Sequence, residues 1–443
     1  MINYFLKNKT GIKLWQKAKK IIPGGNSILS KRPERYGKDI WPIYFQKSKG
    51  IYIWDLDGKK FIDMAQMGIG SSILGYNNKE VNKAVNIAIN KGINTTLNCK
   101  EEVFLAQKLL KLNNFAGSVK FARSGGEAMS VAVRIARAFS KKKTIAFSGY
   151  HGWFDWYLAS NLKNKTNLNE HLLEGLTTNG VPIELKNTIL PFKYDDEKDF
   201  EKVINNNKKI GIIVVESARY NYPKKKFVKK INQLVKKNKL VLICDEITTG
   251  FRISNTGAYK KIGFKPDIVV YGKGLGNGFA ISAILGKKRI MNCAQDTFIS
   301  SSNWSERVGF VAALKTLEII EREKIWKKIN KLGRMIAINW KKIFLKYNLK
   351  IEVCNFYPLI SMKLQYGSLN NYIITLFTQE MLKRGYLAAT SVYLSSKHNN
   401  NIIKNYLKNC DIVFSYISKI LKEKKIKKNL LTQVRTDAFQ RLN

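Results

Sequence analysis

The chain is poor in cysteine and histidine for its length. Five cysteines and three histidines are spread over 443 residues, and no two cysteines have the CxxC spacing of a metal or redox site. An odd number of unclustered cysteines indicates free thiols in a reducing compartment. The histidines also lack the spacing of metal ligands. The sequence therefore predicts no disulfide framework and no metal site, and it favours a cytoplasmic location.

Long apolar runs are also missing. The first twenty residues, MINYFLKNKTGIKLWQKAKK, lack the continuous apolar core of a secretory signal peptide, and no run elsewhere reaches membrane-spanning length. We therefore expect a soluble protein with no membrane partner. The same N-terminal residues mix apolar side chains with lysines at helical spacing, which predicts an amphipathic helix over 1–22. With 443 residues, 45% of them hydrophobic, the chain is long enough for two or three domains.

Acidic side chains are scarce beside basic ones. The chain has 32 Asp and Glu against 78 Lys and Arg, a formal net charge of +46. Such an excess suggests binding to nucleic acid or to an anionic membrane. The lysines are spread along the whole chain, however, and the clusters at 224–226 and 422–428 fall in predicted exposed helices or loops. We interpret the charge as a solvated surface and predict no nucleic-acid partner.

The stretch over 241–278 organises the rest of the chain. An apolar run of the buried parallel-strand type, LVLIC, ends directly before Asp245. A second run, IVVY, is followed by Lys273 between two glycines. Either piece alone is more often a buried acid and a solvated loop lysine. Together they match the needs of pyridoxal 5′-phosphate (PLP), since a lysine forms a Schiff base with the aldehyde and an acid pairs with the pyridinium nitrogen.

Strand-like runs alternate with helical patterns through the middle of the chain. This alternation predicts a mainly parallel sheet with helices on both faces, and ligands bind outside the carboxyl ends of such strands. Five polar residues come directly after strand-like runs, which indicates one shared site; they are Ser124, Tyr150, Glu216, Asp245 and Lys273.

A glycine turn, residues 124–126, precedes a predicted helix over 127–139. The turn consists of Ser124, Gly125 and Gly126, and Glu127 opens the helix. A glycine turn that enters a helix offers free backbone N–H groups to a phosphate. Most such turns are structural, so this signal is weak on its own.

These motifs, taken in order along the chain, resemble the class-III aminotransferases of PLP fold type I. The nearest branch is the one related to glutamate-1-semialdehyde 2,1-aminomutase. The resemblance implies an α/β fold with a mainly parallel central sheet flanked by helices, and a smaller α+β domain from both terminal segments. We expect an N-terminal segment over 1–64, a PLP-binding domain over 65–324 and a C-terminal domain over 325–443. The segments that carry the resemblance are PGGNS (23–27), YIWDLDG (52–58), SGGEAM (124–129), YHGW (150–153), DEITTGFR (245–252), YGKGLGNGFAISAILG (271–286) and FISSSNW (298–304).

The resemblance also implies roles for single residues. Lys273 would bind PLP, Asp245 would pair with its ring nitrogen, and Tyr150 would stack on the ring. Ser302, or Ser301 in its place, would reach the phosphate from the partner subunit of a homodimer. The further residues implied are Ser124, Gly125, Gly126 and Glu216 for the cofactor, and Ser27, Arg32 and His151 for the substrate.

The activity implied is transfer of an amino group from a donor, with glutamate a candidate, to a carbonyl acceptor by ping-pong kinetics. An aminomutase of tetrapyrrole biosynthesis remains an alternative, although the mutase has a glutamate where this chain has none between Gly385 and Asn400. A PLP racemase is another alternative. A basic binding protein on a degenerate enzyme fold is a fourth, and the intact Lys273 and Asp245 argue against it.

Overall fold

The computed structural model describes residues 9–439 of the chain. Over that range the chain forms fourteen strands and thirteen α-helices. The strands are β1 (Phe45–Lys49), β2 (Tyr52–Asp55), β3 (Lys60–Met64), β4 (Ser118–Ala122), β5 (Thr144–Ser148), β6 (Ile189–Pro191), β7 (Ile210–Glu216), β8 (Val241–Asp245), β9 (Ile268–Tyr271), β10 (Ser282–Gly286), β11 (Ile351–Val353), β12 (Leu359–Leu364), β13 (Tyr386–Ala388) and β14 (Ser391–Tyr393). The helices are α1 (Lys9–Ile21), α2 (Lys79–Asn90), α3 (Lys100–Leu112), α4 (Gly125–Ser140), α5 (Asp155–Leu158), α6 (Glu197–Asn205), α7 (Lys225–Lys237), α8 (Ala258–Ile262), α9 (Lys288–Met291), α10 (Arg307–Glu323), α11 (Ile325–Lys346), α12 (Asn370–Leu382) and α13 (Asn400–Lys422).

The chain divides into two compact units. Of the described residues, the terminal unit holds 9–78 and 328–439, and the central unit holds Lys79–Lys327. The division expected from the sequence, into 1–64, 65–324 and 325–443, stays a prediction. No helix in the described part of the chain is both long enough and apolar enough to cross a membrane.

The central unit is built on a seven-stranded sheet with the order β4-β10-β9-β8-β7-β5-β6. Every pairing among β9, β8, β7, β5 and β6 is parallel, whereas β10 is antiparallel to both of its neighbours, β4 and β9. The predicted, mainly parallel α/β sheet is therefore confirmed. Strands β6 and β10 are additions that were not predicted from the sequence.

The inner strands have apolar residues on both faces because both faces are covered. Ile212 and Val214 of β7 lie in the core cluster that also contains residues of α4. Ile213 and Val215 point to the opposite face and are also fully buried. Continuous burial of this kind is typical of parallel strands between two helical layers, and it explains why the apolar runs do not alternate with polar residues.

The terminal unit contains two smaller sheets. One has the order β1-β2-β3-β13 and the other β11-β12-β14. Strands β2 and β3 form a hairpin, in which the Asp55 carboxylate accepts a hydrogen bond from the Lys59 N–H at 2.8 Å and closes the turn. The predicted N-terminal helix is present as α1, and the first eight residues of the prediction lie outside the described residues.

Candidate active site

Parallel strands bring the predicted residues of the central unit to one edge of the sheet. Glu216 and Asp245 are the last residues of β7 and β8 and are register partners. Tyr150 and Lys273 each lie two residues beyond a strand, β5 and β9, and Ser124 lies two residues beyond β4. This common placement at the carboxyl ends was predicted from the sequence and is confirmed for all five residues.

Lys273 has a constrained backbone and a partly buried side chain. Its φ is 43°, in the left-handed region that residues with a Cβ rarely adopt. Its Nζ donates a hydrogen bond to Oγ1 of Thr248 at 2.7 Å. Burial lowers the pKa of Lys273, while the negative charges of Asp245 and Glu216 oppose that decrease. A lower pKa increases the neutral fraction of the amine, and only the neutral amine can act as a nucleophile or accept a proton.

Asp245 is buried and both of its oxygens have partners. One oxygen accepts the backbone N–H of Ile247 at 2.9 Å, and the other lies 2.9 Å from Nδ1 of His151. The second ring nitrogen of His151 lies 3.2 Å from the carbonyl oxygen of Ser148. Both ring nitrogens of His151 therefore face oxygen atoms, one on Asp245 and one on Ser148.

The position of His151 differs from the predicted substrate contact. The side chain is 1% exposed, and Asp245 and Ser148 occupy both of its nitrogens. No ring nitrogen is left to bind a substrate. His151 follows Tyr150 in the chain, but its side chain is buried and contacts the carboxylate of Asp245.

Helix α4 begins earlier than predicted and incorporates the glycines of the glycine turn. Ser124 is the N-cap, its hydroxyl accepts the N–H of Glu127, and the Glu127 carboxylate accepts the N–H of Ser124 at 2.7 Å. This capping box uses the Ser124 hydroxyl oxygen only as an acceptor, so its O–H can still donate to a ligand. The N–H groups of Gly125 and Gly126 precede the first intrahelical hydrogen bond and point along the positive end of the helix dipole.

Close packing leaves little room for a Cβ at either glycine. A Cβ on Gly125 would lie 2.8 Å from Cδ1 of Ile247, and a Cβ on Gly126 would lie 3.1 Å from the ring of Phe154. Gly152 lies close to the backbone of Gly126, because a Cβ added to Gly152 would be 3.1 Å from the Cα of Gly126. The helix start is therefore pressed against the turn that follows Asp245 and against the YHGW segment, and its N–H groups lie near the same strand ends.

Glu216 and Tyr150 are linked through the main chain. The Glu216 carboxylate accepts the N–H of Tyr150 at 3.1 Å and lies 3.8 Å from Nε of Arg219. Burial raises the pKa of Glu216, and the charge of Arg219 opposes the increase. A Cβ on Gly149 would lie 2.6 Å from the Glu216 carboxylate, so the chain turns tightly here. Tyr150 keeps 39% of its surface exposed, which leaves its ring available for a ligand.

Ser302 lies on an exposed turn that two arginines hold in place. The guanidinium of Arg123 donates to the carbonyl oxygens of Asn303, Trp304 and Glu306, and Arg134 donates to that of Phe298 at 2.8 Å. Both Ser302 and Ser301 are exposed. Among the described residues, the Ser302 hydroxyl makes no hydrogen bond to the glycine turn, so the single chain does not bring these predicted phosphate ligands together.

Ser27 and Arg32 belong to the terminal unit. Ser27 is exposed. The guanidinium of Arg32 lies against the backbone of Gly24, where a Cβ would be only 1.9 Å from Nη2. Their predicted contact with substrate stays a prediction.

The donor set fits PLP. The sheet edge supplies a lysine amine of lowered pKa, a buried carboxylate for the ring nitrogen, and two N–H groups at a helix N-terminus for the phosphate. No group of three His, Cys, Asp or Glu side chains within residues 9–439 is arranged to hold a metal ion. Thr248, which contacts Lys273, is a site residue that the sequence analysis did not single out.

Comparisons with known proteins agree with this donor set. The family described as "Aminotransferase class-III" matches residues 35–372. The chain is 30% identical over 347 residues to 3-aminobutyryl-CoA aminotransferase of Cloacimonas acidaminovorans, covering 76% of this chain and 79% of that protein. It is 30% identical over 434 residues to glutamate-1-semialdehyde 2,1-aminomutase of Methanocaldococcus jannaschii, covering 92% and 99% of the two chains. Among solved structures, the FumI protein of Sphingopyxis sp. MTA144 in a PLP form superposes with a TM-score of 0.84 at 21% identity, covering 96% and 98%.

Proposed function

Since the chain belongs to the class-III aminotransferase family and has the type I fold of PLP-dependent transferases, with PLP as its cofactor, we propose that it transfers an amino group from a donor to a separate carbonyl acceptor. The observation that carries the proposal is the placement of Lys273 and Asp245 at neighbouring strand ends. Strands β8 and β9 pair in parallel, and Asp245 is the register partner of Val270, three residues before Lys273.

We assign the residues as follows. Lys273 would bind the cofactor covalently, and Asp245, assisted by His151, would hold the ring nitrogen protonated. The N–H groups of Gly125 and Gly126 would bind the phosphate, and Tyr150 would pack on the ring. When bound, PLP supplies the electron sink that stabilises negative charge at the substrate carbon.

Proton transfer at the substrate would be carried out by the side chain of Lys273. The free amine of Lys273 would act as the base that takes a proton from the substrate carbon and then as the acid that returns it. Its lowered pKa favours the neutral form that accepts a proton. Partial burial of the site limits competition from water for that proton.

An aminomutase is the second candidate because the relative from Methanocaldococcus jannaschii covers 92% of the chain. We favour the transferase because the segment 385–400, which contains β13 and β14, has no glutamate. A relative that is named as a CoA-linked aminotransferase covers 76% of the chain, which supports the same choice.

We also propose that the protein is a homodimer in the cytoplasm. Helices α2 and α3 both pack on α10, and they and the loop between them expose apolar side chains, including Leu97 at 81% and Phe104 at 47%. Phe298, next to the Ser302 turn, is 85% exposed. Exposed apolar clusters of this kind support an isologous contact between copies. All five cysteines are free thiols, which supports a reducing location.

Two measurements test the proposed function. Borohydride reduction of the PLP-loaded protein, followed by peptide mapping, should place the cofactor on Lys273; Lys273→Ala should lose the label and exposed Lys261→Ala should keep it. A screen of amino donors should then give turnover only when a carbonyl acceptor is present. Label on another lysine contradicts the site, and turnover without an acceptor contradicts the transferase in favour of a mutase or a racemase.

A further inference from the structure

Thr248 and Lys273 occupy equivalent positions beyond two paired strands. Asp245 of β8 and Val270 of β9 are register partners, and Thr248 and Lys273 each lie three residues beyond them. The Nζ of Lys273 donates to Oγ1 of Thr248 at 2.7 Å. Among the described residues this is the one hydrogen bond of that amine. Asp245 and Glu216 act on the amine through their negative charges and not through a hydrogen bond.

The backbone of Thr248 is fixed on both sides. Its carbonyl oxygen accepts Nε of the buried Arg252 at 2.7 Å. The Ile247 N–H is held by Asp245, and the Gly250 N–H donates to the Glu246 carbonyl at 2.8 Å. The turn cannot shift without breaking these contacts, so the hydroxyl of Thr248 is a rigid reference point for the lysine.

The Glu246 side chain stabilises the turn that follows β8 through three hydrogen bonds. Its carboxylate is buried and accepts the Thr249 hydroxyl at 2.6 Å together with the N–H groups of Ala258 and Tyr259 at 2.8 and 2.6 Å. The two neighbouring threonines therefore make different contacts. The Thr249 hydroxyl donates to the buried Glu246 carboxylate, whereas the Thr248 hydroxyl accepts from Lys273.

We propose that Thr248 is a positioning residue that holds the free amine of Lys273 whenever the lysine is not linked to the cofactor. A lysine side chain has four rotatable bonds, and a fixed acceptor removes much of that freedom. A hydrogen bond to the ammonium also favours the charged form, so Thr248 limits the decrease in the pKa of Lys273 that burial causes. The proposal rests on the role of Lys273 in the proposed function.

The test uses the full-length protein loaded with pyridoxamine 5′-phosphate, the amine form of the cofactor, which leaves Lys273 unlinked. The reactivity of Lys273 toward acetic anhydride is measured as a function of pH by mass spectrometry. Thr248→Val removes the acceptor at nearly constant volume, Thr248→Ser keeps it, and the exposed Thr177→Val is the matched control. Thr248→Ala is a second variant that does not depend on how valine packs.

We expect the titration of Lys273 to move to lower pH in Thr248→Val and in Thr248→Ala, and to stay near wild type in Thr248→Ser and Thr177→Val. Turnover should fall about tenfold in the first pair, in line with a lost hydrogen bond to a charged group, and recover in Thr248→Ser. An unchanged titration in folded Thr248→Val and Thr248→Ala overturns the proposal. If borohydride places PLP on another lysine, the proposed site fails instead, so the two failures are distinguishable.

Discussion

His151 Nδ1 lies 2.9 Å from the Asp245 carboxylate, and both side chains are buried. Since Asp245 pairs with the cofactor ring in our proposal, this contact places a second donor behind the carboxylate. The charge that faces the ring therefore depends on a residue that cannot reach the substrate. Its removal should affect the electronics of the site more than substrate binding.

Replacing His151 tests that relationship. His151→Phe should lower kcat by roughly tenfold or more with little change in KM for the donor, because a charge contact behind the ring is lost. Steady-state kinetics of both proteins provide the check, and a change confined to KM would return His151 to a substrate role.

Asp245→Asn keeps the shape of the side chain and removes its charge. We expect the variant to bind PLP and to lose on the order of a hundredfold or more in turnover, because the ring nitrogen is no longer held protonated. Cofactor absorbance measures binding and steady-state kinetics measure turnover. Near-normal turnover would show that Asp245 does not act on the ring.

The glycine turn gives a graded pair of substitutions. The Cβ of Gly125→Ala would meet Ile247 at 2.8 Å and displace the helix start, whereas Gly126→Ala meets the Phe154 ring at 3.1 Å, where a small shift suffices. We expect Gly125→Ala to weaken PLP binding about tenfold and Gly126→Ala to weaken it less. Binding of pyridoxal, which has no phosphate, is the control; an equal loss for both ligands argues against phosphate contact.

Mixing two inactive variants tests the shared site. If Ser302 reaches the partner's phosphate, a dimer of Lys273→Ala with Ser302→Ala has one doubly altered site and one wild-type site. With random exchange of equal amounts, roughly half of the intact lysines should regain tight PLP binding. Titration of PLP into the mixture measures this recovery. Absence of recovery after proven subunit exchange would place all phosphate contacts in one chain.

His398 makes folding stability depend on pH. Burial lowers its pKa to about 4, because a buried site disfavours the charged form of the imidazole. The unfolded state binds a proton near the ordinary pKa of about 6.5, so this contribution is complete above that pH and is lost as the pH falls toward 4. The loss is about 3 kcal/mol. In urea unfolding, His398→Gln should have a lower free energy of unfolding than the wild type at pH 7. That free energy should also decrease less between pH 6.5 and 4 than it does in the wild type. The same pH dependence in both proteins would refute the assignment.

The strands and the residues that follow them were predictable from local patterns. Apolar runs bounded by glycine or acidic residues gave β7, β8 and β9 to within a residue or two at each end, since strands covered on both faces need continuous apolar residues. Parallel pairing then required that Glu216, Asp245 and Lys273 share one edge. That inference needs no knowledge of side-chain conformation.

Other features depended on contacts between segments distant in the chain. The insertion of β10 between β4 and β9 reflects sheet pairing across more than 150 residues, which no local pattern encodes. The inward rotation of His151 and the bond between Thr248 and Lys273 also depend on how loops from different strands pack. The sequence by itself determined which chemical groups stand at the strand ends, because period and composition decide where strands stop. Only the tertiary structure decided which of those groups touch, because hydrogen bonds require ångström distances that packing sets.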